Sequence, residues 1–109
     1  MRMSQEEFLK RAKELFDECF SLLEKKNKDY SGHDALANFF KSEDLGICEA
    51  EKAILVRLSD KFSRICNLVS NEPYVKEEQI DDTIRDMINY LVILKIILDY
   101  KRSKNENSP

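Results

Sequence analysis

The chain is short of the residues that make tight turns. Two glycines and two prolines among 109 residues leave too little turn material for the many hairpins of an all-β fold. Histidine is nearly absent. His33 stands alone, which excludes a histidine-rich zinc site and a histidine dyad within one chain; it reads as a loop or cap residue. The cysteines are few and odd in number. Cys19, Cys48 and Cys66 form no CxxC pair, and each sits in an apolar helical context, so they read as buried free thiols of a reducing compartment. The net charge of −3 is small, so a nucleic-acid partner, which calls for a strongly basic face, is not expected. Residues 87–98 are the longest apolar run, but Asn89 and Lys95 interrupt it and it is too short to span a bilayer. The opening MRMSQEEFLK has no apolar core of the signal-peptide kind. The expected setting is therefore cytoplasmic, away from any membrane. Ser–His–Asp arrangements, P-loops and GxGxxG are all missing.

What the sequence does contain is helical period. Ser4 followed by Glu7 forms a capping-box signal. Phe8, Ala12, Leu15, Cys19 and Leu22 then recur at helical spacing, widened by Phe16, Phe20 and Leu23; this predicts a first helix over residues 5–25. KNKDYSG, residues 26–32, reads as a loop. A short helix is expected over 34–41, ending before Gly46. A second long helix is expected over 48–69, with Leu55, Leu58, Phe62, Ile65 and Val69 inward. SNEPY, with Pro73, breaks the pattern. A third long helix spans 76–101, with Ile80, Ile84, Met87, Ile88, Leu91, Leu94 and Leu98 inward. Residues 102–109 read as a disordered polar tail. The fold class is all-α: one domain over residues 1–101, a small bundle of three long helices and one short helix. LVILKIIL, residues 91–98, is apolar almost all round, which a lone small bundle rarely buries, so a homo-oligomer is expected.

Three groups of polar residues could carry chemistry. Arg57, Asp60, Lys61 and Arg64 lie three and four apart on one helix face, where two guanidinium groups and a lysine can grip phosphate oxygens; the alternative is a solvated face with internal ion pairs. Glu78, Asp82, Asp86 and Asn89 line up on the next helix. Carboxylates so placed need a cation among them, either Mg²⁺ with phosphate and water or the basic face of the preceding helix. In the KNKDYSG segment Tyr30 could stack on a base and Lys28 could meet a phosphate, with Asp29 between them and Gly32 allowing close approach. The plainer alternative is a polar connection with a packed tyrosine. Asn38 and Phe39 would line a pocket if the short helix folds over it.

Taken together, KNKDYSG (26–32), ALANFF (35–40), RLSDKFSRICNL (57–68) and DDTIRDMINYLVI (81–93) resemble the small phage- and prophage-associated helical proteins of the nucleotide modification associated domain type 1 family. The likeness covers residues 10–98 in order, through KxxDY, RxxDKxxR and DTxxDxxNY. It implies a phage protein in the cytoplasm of an infected or lysogenic bacterium, acting in nucleotide metabolism or modification. It also implies a site made of Lys28, Asp29, Tyr30, Arg57, Asp60, Lys61, Arg64, Asp82, Asp86 and Asn89. A more distant likeness is to the all-α MazG and dimeric dUTPase-type pyrophosphohydrolases, which gather EExxE and ExxD carboxylates around Mg²⁺. Where EExxE belongs, this chain has RLSDKFSR, one acid among three bases, which suits phosphate better than several metal ions.

Three functions follow as expectations. The first is a nucleotide-binding protein that needs no cofactor and no hydrolysis, holding a phosphorylated nucleotide or a nucleotide-derived signal of host defence. The second is a Mg²⁺-dependent nucleoside triphosphate pyrophosphohydrolase with Glu78, Asp82 and Asp86 as metal ligands, so whether the chain is an enzyme stays open. The third is a non-catalytic helical adaptor whose charged faces pair with each other.

Overall fold

The computed structural model describes residues 1–30, 32–70 and 77–106, with the side chains of residues 29, 30 and 106 outside the description. The fold is all-α. Helix α1 spans Gln5–Tyr30, α2 Lys41–Asp44, α3 Ala50–Ser70 and α4 Glu77–Glu106, and the described residues contain no strand. No helix among them is long and apolar enough to cross a membrane.

Helix α1 begins where its cap predicts. The Glu7 N–H donates to Ser4 Oγ at 3.1 Å, satisfying one of the free donors of the first turn. The Glu7 carboxylate does not reach back; it pairs with Arg11 at 3.0 Å. The helix then runs through residues 26–30, where a loop is expected from the sequence. Lys, Asn and Asp are tolerated in a last turn, Lys28 there complements the helix dipole, and Lys26 is tied to α4 by an ion pair. Gly32, at φ 55°, takes the left-handed conformation that follows.

The short helix lies later than expected. Over residues 34–40 the chain makes turns, because the Asp34 carboxylate captures the Leu36 N–H at 3.0 Å and competes with helical bonding. Helix α2 follows and ends in a Schellman motif: Ile47 N–H donates to the Ser42 carbonyl and Gly46 N–H to that of Glu43, with Gly46 at φ 74°. Glu43 then reaches forward to accept the Ala50 N–H at 2.7 Å, capping α3. Lys101 on α4 ties this corner together by pairing with both Glu43 and Glu51. Helix α4 continues through residues 102–106, past the end expected at 101, and residues 107–109 of the expected tail lie outside the described residues.

The core is narrow. Ala50, Ile54 and Leu58 of α3 meet Ile93 and Ile97 of α4, with Leu36, Phe39, Phe40 and Leu23 packed around them. Helix α4 is central: α3 packs along it and α1 packs on it less extensively, while α1 and α3 do not pack on each other. Several residues expected inside are outside. Leu55, Phe62 and Val69 are more than half exposed, as are Phe8, Phe16, Phe20 and Leu91, and Ile84 is also exposed. Their stripes are real, but α3 meets α4 through Ala50, Ile54 and Leu58 of the neighbouring stripe. Of the cysteines, only Cys19 is buried, where desolvation pushes its thiol pKa up; Cys48 is half-buried and Cys66 exposed.

Candidate functional site

Because α1 and α3 sit on two sides of α4 without touching, a wedge opens between them. A cavity of ≈ 260 Å³ fills it. Helix α4 supplies its floor through Asp86, Asn89, Tyr90 and Ile93; α1 contributes Leu23, Lys26 and Asn27, α3 contributes Arg57, and the turn segment closes over it with Asn38 and Phe39. The walls therefore combine two aromatic rings, two apolar side chains and three amides with charged groups at the edge. Cavities for drug-sized ligands begin at roughly 300 Å³, so this one suits a single ring system better than a whole nucleotide.

Arg57 and Tyr90 also line a second, open groove along α3, together with Asp60, Lys61, Ser63, Arg64, Asn67 and Leu68. The guanidinium of Arg57 lies 6.0 Å from the centre of the Tyr90 ring, a cation–π distance, and the two residues border both spaces. Across cavity and groove together, Lys26, Arg57, Lys61 and Arg64 stand against two carboxylates, Asp60 and Asp86.

The hub is Asp86. Its Oδ1 accepts from Lys26 Nζ at 3.1 Å and its Oδ2 meets Lys61 Nζ at 3.2 Å, joining α1, α3 and α4. Burial alone would raise this carboxyl pKa, but hydrogen bonds from Lys26 and Lys61 and the charges of both outweigh it and hold it below its ordinary value. Asn89, 7% exposed, donates through Nδ2 to the Cys19 carbonyl at 3.0 Å, which fixes the orientation of its amide in the cavity wall. Among the described residues Arg57 and Arg64 have no ion-pair partner, so both guanidinium groups are available to an incoming anion.

The residues singled out in the sequence divide into two sets. Arg57, Asp60, Lys61, Arg64, Asp86 and Asn89 come together at the cavity and groove. Glu78 and Asp82 line neither; Asp82 is exposed and pairs with Arg85 at 3.1 Å, and Arg85 in turn reaches Glu18. Lys28 is exposed in the last turn of α1 and lines neither space. Asp29 and Tyr30 belong to α1, and their side chains lie outside the described residues. Among the described residues no three acidic, cysteine or histidine side chains cluster at metal-holding distance: both oxygens of Asp86 face lysines, and Asp82 faces an arginine. Sequence reasoning missed Leu23, Lys26, Asn27, Tyr90 and Ile93. Part of that signal is present, since Asp86, Asn89, Tyr90 and Ile93 follow the i, i+3, i+4, i+7 spacing of one helix face, but the more continuous apolar pattern of Ile84, Met87, Ile88, Leu91, Leu94 and Leu98 outweighs it. Compared with known proteins, the chain matches no family model, no curated protein and no solved structure.

Proposed function

We propose that this protein binds a phosphorylated nucleotide or nucleotide-derived small molecule, with the base in the wedge cavity and the phosphates on the basic groove. The observation that carries the reading is that Arg57 and Tyr90 line both an aromatic- and amide-lined cavity and the adjoining groove, which bears Arg57, Lys61 and Arg64. Aromatic faces stack on bases, amides bond their polar edges, and guanidinium groups bind phosphate oxygens in bidentate fashion. Four cations against two carboxylates favour an anion without a metal bridge. The sequence likeness to the nucleotide modification associated proteins supports the same ligand class and a phage setting, in which such a protein would sequester a nucleotide signal.

The test is a thermal-shift series of the purified chain with nucleoside mono- and triphosphates and cyclic di- and trinucleotides, in EDTA and again with Mg²⁺. A ligand that binds only the native state raises the melting temperature, so stabilisation in EDTA is expected. Stabilisation or turnover only with Mg²⁺ would replace this reading with the pyrophosphohydrolase. No shift with any nucleotide would leave the adaptor bundle.

A further inference from the structure

On the side of the α3–α4 pair turned away from the cavity and from α1, each helix carries a mainly apolar stripe that the fold covers only in part, with Ile88 and Leu98 of α4 half-buried and the rest exposed. On α3 it runs Leu55, Ser59, Phe62, Cys66, Val69; on α4 it runs Ile84, Ile88, Leu91, Lys95, Leu98. Both follow steps of four, three, four and three, the seven-residue repeat through which helices interlock side chains. Helix α3 already meets α4 through Ala50, Ile54 and Leu58, so its second stripe faces solvent: Leu55 is 52% exposed and Phe62 and Val69 60% each. Beside it on α4, Leu91 is 54% exposed. Two adjacent heptad stripes of equal span, on antiparallel helices, form half of a four-helix bundle.

The surface area points the same way. The chain exposes 8728 Å², whereas a compact monomer of its mass exposes about 6,300 Å². The surplus of roughly 2,400 Å² is spread over the whole chain, the exposed Phe8, Phe16 and Phe20 of α1 included, and about a third of it would supply the ~800 Å² that each partner contributes to a standard interface. The radius of gyration, 17.0 Å, is likewise above the ~13 Å of a compact domain this long.

We infer that this face is a self-association surface, on which a second copy of the chain seats its own α3–α4 face about a two-fold axis to complete a four-helix bundle. The patch calls for a partner like itself. Its one charge, Lys95, is already neutralised by Asp99 at 2.7 Å, so it presents no charge pattern for a different protein to complement. A two-fold arrangement matches each stripe with an equally long apolar one. The nucleotide site lies on the opposite side of the helix pair, so the dimer carries two open sites facing outward. This inference does not depend on the nucleotide reading.

Sedimentation equilibrium at micromolar concentration tests it. The native chain is expected at no less than twice its 12.8 kDa. The double variant Phe62→Glu/Leu91→Glu should fall to monomer mass with its helical circular dichroism retained, while Phe16→Glu/Phe20→Glu should still associate. A monomeric native chain overturns the inference, as does dissociation by the α1 pair but not by the α3–α4 pair. Should the first variant fail to fold, alkylation of Cys66 in the native protein decides. A rate at least roughly tenfold below that of the unfolded chain indicates a covered thiol, and a rate equal to the unfolded one overturns the inference.

Discussion

The side-chain amide of Asn89 donates to the main-chain carbonyl of Cys19 at 3.0 Å, across the contact between α4 and α1. The rest of that contact is thin: the Arg85–Glu18 and Lys26–Asp86 ion pairs flank it, and Leu23 packs beneath. In a buried position, a hydrogen bond contributes about 1 kcal/mol, and more when its loss leaves a polar group unpaired. Asn89→Leu, which keeps the volume, should therefore lower unfolding free energy in urea by about 1–2 kcal/mol. A loss below about 0.5 kcal/mol would mean that the bond does not hold α1 in place.

Arg64 is exposed and has no ion-pair partner among the described residues, so it can be removed without disturbing the fold. Arg64→Ala should leave stability within about 0.5 kcal/mol of the native protein and weaken nucleotide binding about tenfold, equivalent to about 1.4 kcal/mol. Titration calorimetry measures both Kd values. Equal affinities would show that the phosphates do not lie on the α3 groove.

Asp86 separates the binding and hydrolytic readings. Its carboxylate holds Lys26 and Lys61, so Asp86→Asn should free both lysines for phosphate while loosening the three-helix junction. The expected result is lower stability, by about 1–2 kcal/mol for a half-buried pair, with nucleotide affinity in EDTA equal to or higher than native. A metal-ligand role predicts the opposite for binding, a loss confined to conditions with Mg²⁺.

Lys101 is the cation between Glu43 and Glu51. In Lys101→Met the two carboxylates would face each other without it, and Glu43 would hold the α3 cap less well. A cost of about 1–3 kcal/mol is expected, below that of a fully buried triad because all three groups are partly exposed. Glu51→Gln in the same chain should recover part of it. Chemical denaturation of the two variants checks the pair, and no recovery would assign the loss to Lys101 packing on Phe40.

The same carboxylates set the acid limit. Hydrogen bonds from Lys101 hold Glu43 and Glu51 below their ordinary values, and Lys26 and Lys61 do so for Asp86. A carboxyl whose folded pKa is depressed contributes fully above its unfolded pKa and loses that contribution as pH falls through the folded one. Stability should thus be level near neutrality and decline below about pH 5, where unfolded carboxylates begin to bind protons. The decline should be shallower in Asp86→Asn. A melting temperature independent of pH down to that range in the native protein would contradict these pairings.

Much was legible in the sequence because it is local. Scarce glycine and proline, a Ser4 cap and apolar residues three and four apart were enough to specify an all-α chain of three long helices, since helix bonding and period involve only neighbours along the chain. The basic face Arg57–Lys61–Arg64 and the Asp86–Asn89 face were likewise visible as spacing. Tertiary structure alone decided how those faces were used. Helix α3 carries two apolar stripes, Ile54–Leu58–Ile65 and Leu55–Phe62–Val69, of similar hydrophobicity; periodicity cannot say which one meets α4, because that depends on crossing geometry and on the corner set by Glu43, Glu51 and Lys101. The same holds for the site. Lys26 and Asp86 are 60 residues apart in the chain, and their meeting depends on α1 continuing past residue 25 and packing on α4, a long-range contact that no local pattern encodes.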